Sequence, residues 1–162
     1  MTEPLSPRAL FERFDVGARP ESGHFVAELP LAEAEAGARL VRRYFEMWNT
    51  GEGTVADEVL DPRYVDHAQP DVIGPAASRS IAPRFHQAHP DARMTFEIVG
   101  ADAEYVAVRN TIRKTHDGES IEVSGTALFR IGGGRIVEQW SWYPGTKMGR
   151  FGWPKKKVDR AG

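Results

Sequence analysis

The stretch Asp61-Pro62-Arg63-Tyr64-Val65-Asp66-His67-Ala68-Gln69-Pro70 sets an aspartate and a histidine side by side between two prolines. Tyr64 to His67 reads as a short strand, and side chains on a strand alternate between its two faces. Only one of Asp66 and His67 can therefore face whatever the fold encloses. An imidazole with an ordinary pKa of about 6.5 can take or give a proton at neutral pH. That makes His67 the expected inward group and catalytic acid–base. Asp66 is expected to face away, so the two are not read as a dyad.

Upstream, Ala32 to Asn49 carries Leu40, Val41, Tyr44, Phe45, Met47 and Trp48 at the spacing of one helical face, and Gly51 is placed to end the helix. Tyr44 and Trp48 are four apart and share that face. A brief helix is predicted over 54–60, stopped by Asp61-Pro62, and a third over 76–88, in which Pro83 should produce a kink or a delayed start. His86 and His89 lie three apart near its end, but no ligating partner is close in sequence and no metal site is expected.

Downstream, apolar and polar residues alternate through strands predicted over 92–100, 103–115, 119–131 and 134–143, with turns at His116-Asp117-Gly118 and Gly132-Gly133-Gly134. The glycine run is followed by neither a lysine nor a helix, so it is a turn and not a phosphate loop. Helices followed by a long antiparallel meander make an α+β fold with the helices on one face of the sheet.

The chain divides into an N-terminal arm (1–31), a domain (32–145) and a basic tail (146–162) containing Lys155-Lys156-Lys157. Leu10, Phe11 and Phe14 in the arm, and Phe151 and Trp153 in the tail, are apolar enough that at least one end is expected to dock. At 162 residues, 41% hydrophobic and 27% charged, with a net charge of -2, the composition is that of an ordinary globular domain. It has no field suited to nucleic acid or an anionic membrane. With no cysteine, no membrane-length apolar run and no signal-peptide core, a cytoplasmic protein is expected.

Three segments carry a resemblance: Tyr44-Phe45-Glu46-Met47-Trp48-Asn49-Thr50-Gly51, Tyr64-Val65-Asp66-His67, and the closing hairpin Leu128-Phe129-Arg130-Ile131 through Ile136-Val137-Glu138-Gln139-Trp140. With Pro90-Asp91, they resemble the SnoaL-like polyketide cyclases of the NTF2-like superfamily over about residues 35 to 143. The resemblance implies a cone, in which a curved antiparallel sheet wraps three N-terminal helices around one deep pocket. It places Tyr44 where related ketosteroid isomerases carry an oxyanion donor, and His67 where they carry a general base. Ala127 falls where their second oxyanion donor would be. Ser141 stands where many such cyclases have an acid.

Trp48, Arg109, Gln139, Ser141 and Tyr143 are expected to line the pocket and bind substrate; relatives that hydrolyse epoxides supply an arginine from the strand of Arg109. One histidine and one phenol, with no cofactor motif, support acid–base chemistry. The expected function is a cofactor-independent cyclase or isomerase of secondary metabolism acting on a polyketide-like or other hydrophobic small molecule. The rival readings are a non-catalytic ligand-binding or assembly protein and an epoxide-opening hydrolase. The apolar outer face of the sheet suggests a homodimer.

Overall fold

A computed structural model describes residues 31–143. The expected arm up to residue 30, its docking residues and the basic tail therefore lie outside the described residues, and Leu31 begins the first helix. Helix α1 spans Leu31–Thr50, α2 Val55–Val59 and α3 Ala76–Ala88. The strands are β1 (Leu60–Asp66), β2 (Arg93–Ala101), β3 (Tyr105–His116), β4 (Glu119–Gly132) and β5 (Arg135–Trp142).

The five strands form one sheet in the order β1-β5-β4-β3-β2. The pairs β2–β3, β3–β4 and β4–β5 are antiparallel, as the alternating segments implied. The sheet is mostly antiparallel, as expected, and differs at one edge, where β1 runs parallel to β5. A parallel neighbour requires a long crossover connection; here it comprises α3 and the three strands β2, β3 and β4. No described helix is long and apolar enough to cross a membrane.

Alternation along each strand separates an inner from an outer face. Met94, Val106, Val108, Ile112, Ala127, Phe129 and Ile136 point inward onto α1 and join its buried residues in the main core. On α1 those residues are Ala34, Val41, Tyr44, Phe45, Met47 and Trp48, the stripe expected of a helix packed on a sheet. Phe45 stacks on Phe96 at 4.5 Å, and Tyr44 meets Phe129 edge-on at 5.3 Å. The outer face holds a smaller apolar group of buried Ala107 and Leu128, with Val99, Tyr105 and Trp140 packed around them.

The Trp48-Asn49-Thr50-Gly51 segment joins helix to sheet. Gly51, at φ 76°, closes α1, and its N–H donates to the Met47 carbonyl at 2.9 Å. A Cβ there would lie 2.8 Å from His86 Cβ, so α3 packs directly on the turn. Pro83 sits inside α3 and cannot donate to the Arg79 carbonyl four residues before it. Gly53 lies against that carbonyl: a Cβ on Gly53 would be 2.1 Å from the oxygen.

Asn49 carries the joint. Its Nδ2 donates to the Met94 carbonyl at 2.9 Å, and its Oδ1 accepts from the Met94 N–H at 2.7 Å. The side-chain amide thus occupies the free edge of β2 as a neighbouring peptide would, satisfying two backbone groups of an edge strand. Asn49→Ala leaves both groups without their partner. It should lower the unfolding free energy by about 2 kcal/mol in urea denaturation. An unchanged midpoint would mean that water replaces the clamp at no cost.

Candidate functional site

Register decides which member of the Asp66–His67 pair faces inward. Asp66 aligns with Gln139 in the parallel β1–β5 ladder, and the His67 N–H donates to the Gln139 carbonyl at 2.9 Å. Gln139 is buried on the inner face, so Tyr64 and Asp66 point inward and His67 points outward. The expectation that His67 looks into the cavity is therefore corrected. Its ring stacks on Trp140 on the outer face, with centroids 4.6 Å apart and planes within 6°. Its Nε2 is 3.4 Å from Glu138, and its side chain is 41% exposed. Asp66 and His67 do point to opposite faces, but it is the carboxylate that faces inward.

Asp66 instead lines a small cavity of about 30 Å³ with Tyr44, Trp48, Tyr64, Gln69 and Ile81. Its carboxylate accepts the Ala68 N–H at 2.9 Å, which fixes the turn out of β1. Burial pushes its pKa above the ordinary aspartate value, against the lowering effects of the Ala68 N–H and of nearby His67. Tyr44 is buried beside it. Burial, followed by the negative charge of Asp66, pushes the Tyr44 phenol up, so it remains a neutral O–H donor. Tyr64 is pushed up by burial as well.

From this cavity a polar line runs across the inner face. Tyr64 Oη donates to Gln139 Oε1 at 2.6 Å, and Gln139 Nε2 donates to Ser141 Oγ at 3.0 Å. Asn110 Nδ2 donates to Tyr143 Oη at 2.7 Å. Gln139, Ser141 and Tyr143, expected to line the pocket, lie on the inner face but are not among the residues that line this cavity. Trp48 is a wall of the cavity and meets Phe85 edge-on at 6.1 Å. Tyr44 and His67, expected to converge, lie on opposite sides of the sheet.

Arg109 is a second correction. It points outward, 3.7 Å from Glu97 across the β2–β3 ladder. Residues of its parity on β3 face away from the helices, whereas Val106, Val108, Asn110, Ile112 and Lys114 face them. The inward polar members, Asn110 and Lys114, are 2% and 1% exposed. Both were readable as interruptions of an apolar alternation, and Asp66 and Tyr64 as the opposite parity to His67. Lys114 Nζ is 3.3 Å from His89 Nε2. Burial, then the positive charge of Lys114, holds the His89 pKa below its usual value. No group of three or more histidines, aspartates or glutamates able to hold a metal occurs among the described residues.

The model of the SnoaL-like polyketide cyclase family matches residues 38–150. A Bacillus cereus protein proposed to be a polyketide cyclase shares 19% identity at a TM-score of 0.66, over 82% of this chain and 93% of its own. IdmH from Streptomyces antibioticus, also proposed to be a polyketide cyclase, shares 24% at 0.55, over 70% and 96%. An LEH-like epoxide hydrolase of M. tuberculosis shares 16% at 0.57, over 74% and 90%. At these identities the likeness shows the fold. No curated protein matches the chain.

The raised pKa of Asp66 has a consequence for stability. Between its unfolded and folded values, the folded state binds more protons than the unfolded state, so stability falls as pH rises through that window. Asp66→Asn removes the cost of holding a buried charge. The variant should be more stable than the parent at neutral pH, and the gain should shrink as pH falls toward the ordinary aspartate value. Thermal unfolding of both proteins across that range checks it; a destabilised variant at neutral pH would mean that the carboxylate is well solvated.

Proposed function

Because the chain belongs to the SnoaL-like polyketide cyclase family, we propose that it performs acid–base chemistry on a carbonyl of a polyketide-like or other hydrophobic small molecule. Asp66 is the proton carrier and Tyr44 the oxyanion donor. The observation that carries this reading is the partly buried Asp66 carboxylate, with its raised pKa, sharing one cavity with the buried Tyr44 phenol. A carboxylate moved toward neutral pH is a better-matched base than an ordinary one.

The step follows from these groups. Asp66 takes a proton from the carbon beside a ketone, and the C–H electron pair moves toward the carbonyl oxygen. Tyr44 O–H donates to that developing enolate oxygen. The proton on Asp66 then returns to a different carbon, which is an isomerisation. Alternatively, the enolate carbon attacks a second carbonyl of the same molecule, whose oxygen takes the proton, which is an aldol cyclisation. Trp48 supplies an apolar wall, and Tyr64, Gln139 and Ser141 hold a line of hydrogen bonds beside the reacting groups.

Two observations favour other readings. A cavity of about 30 Å³ is the size of a site for a water, which supports a binding or assembly protein without turnover. The neighbour that is an LEH-like epoxide hydrolase supports water attack on an epoxide, with Asp66 activating the water and a phenol protonating the opened oxygen.

Deuterium uptake from D₂O into 2-tetralone, followed by NMR, tests the proposal. The chain should accelerate exchange at the carbons beside the carbonyl. Asp66→Asn should abolish the acceleration, and Tyr44→Phe should reduce it about 10²–10³-fold. His67→Ala should retain it; loss there would return the role to His67. No acceleration by the parent protein, despite binding, would support the non-catalytic reading, and turnover of styrene oxide instead would support the epoxide reading.

The proposal includes a homodimer through the outer face, where Trp142 is 64% exposed next to the group formed around Trp140. Sedimentation velocity at micromolar protein should give twice the chain mass, and Trp142→Glu should give a monomer. A monomeric parent protein would remove the dimer.

A further inference from the structure

Asn110 lies at the centre of β3, facing inward between Val108 and Ile112, and is 2% exposed. Its Nδ2 is committed to Tyr143 Oη at 2.7 Å. Its Oδ1 is buried and has no hydrogen-bond partner. A carbonyl oxygen held in this way among apolar neighbours is a standing cost. An apolar side chain would fill the position without it.

The surrounding chain is shaped to keep the amide there. Asn110 pairs with Gly125 on β4. A Cβ on Gly125 would lie 2.3 Å from Tyr143 Cδ1 and 2.5 Å from the Trp142 carbonyl oxygen. The missing side chain lets the Tyr143 ring cross β4 and reach Asn110 from β5. That bond orients the amide by its nitrogen and leaves the oxygen as the unfilled atom. Asn110 is thus a prepared acceptor on the same inner face as Asp66, three strands away. At about 4.8 Å per strand, the two backbones are separated by roughly 14 Å, a distance that one ligand of two fused rings or a folded chain can span.

We infer that Asn110 recognises a hydroxyl of the ligand, through an O–H donated to the free Oδ1 atom, and so selects for oxygenated substrates that carry a phenol, enol or alcohol away from the reacting carbonyl. The inference deepens the proposed function: it rests on the inner face being the ligand cavity, but it requires no turnover by Asp66. The acceptor is specific in chemistry. An ether or a ketone at the same place leaves Oδ1 unpaired, and a site that hydrogen-bonds an O–H discriminates against analogues that lack it.

The test uses two probes of nearly equal shape, 4-fluorophenol and 4-fluoroanisole, titrated against the whole chain and followed by ¹⁹F NMR. The phenol should bind about tenfold more tightly than its methyl ether. In Asn110→Leu the preference should fall below about twofold, with anisole affinity retained. Asn110→Asp, which keeps an acceptor oxygen, should restore a preference for the phenol. Equal affinities in the parent protein, which is the result expected if a buried water fills the site, would overturn the inference. So would a preference that survives in Asn110→Leu, or the failure of both probes to bind at millimolar concentration. The parent comparison and the Asp variant decide the question even where the leucine variant does not fold. Loss of tetralone exchange with the phenol preference intact would sink the chemistry of Asp66 alone.

Discussion

The parallel pairing of β1 along β5 is the constraint on which the site depends. Because Asp66 aligns with Gln139, the end of β1 from Tyr64 to His67 has its faces assigned by a neighbour that is buried on the inside. A shift of one residue would turn Tyr64 and Asp66 outward and bring Val65 and His67 into the core. The hydrogen bond from Tyr64 Oη to Gln139 Oε1, at 2.6 Å, fastens the same register through side chains. The acidic group, its phenolic neighbour and the glutamine that holds them are therefore one arrangement.

The helices are held over that face by two dissimilar joints. At one, Asn49 substitutes for a missing strand at the edge of β2, so the end of α1 is tied to the sheet by paired backbone bonds. At the other, glycines 51 and 53 allow α3 to approach where side chains would collide. Pro83 contributes by leaving the Arg79 carbonyl without its helical donor, at the place where Gly53 packs. The cavity between α1, α3 and β1 exists because these contacts set the helix at a definite height above the strands.

The inner face combines a tight aromatic core with polar groups whose burial is costly. Around Phe45, Phe96 and Phe129 the packing is that of a stable domain. Around Asp66, Asn110 and Lys114, desolvation works against stability. Sites of chemistry and recognition concentrate such costs, since a solvated carboxylate or a satisfied amide has little left to offer a ligand. On the outer face, by contrast, the charges pair across neighbouring strands, as Arg130 does with Glu138 at 2.6 Å and Arg109 with Glu97 at 3.7 Å. Those pairs are half in water and contribute little.

Much of this was legible in the residues alone. The 3.6-residue spacing of Val41, Tyr44, Phe45 and Trp48 specified α1, and strict alternation specified the four strands of the meander, because each period reflects a single buried face. Alternation also established that Asp66 and His67 part company. What it could not supply was the sign. A strand's pattern states that two faces differ, but the identity of the inner one comes from the neighbour it pairs with, and the partner of β1 lies some 70 residues along the chain. Chemical plausibility favoured the imidazole, whereas the β5 register turned the carboxylate inward. The same holds for β3, where Arg109 was the more reactive-looking residue and Asn110 the inward one. Local sequence determined the elements and their two faces; only long-range strand pairing decided which side chains meet at the candidate site.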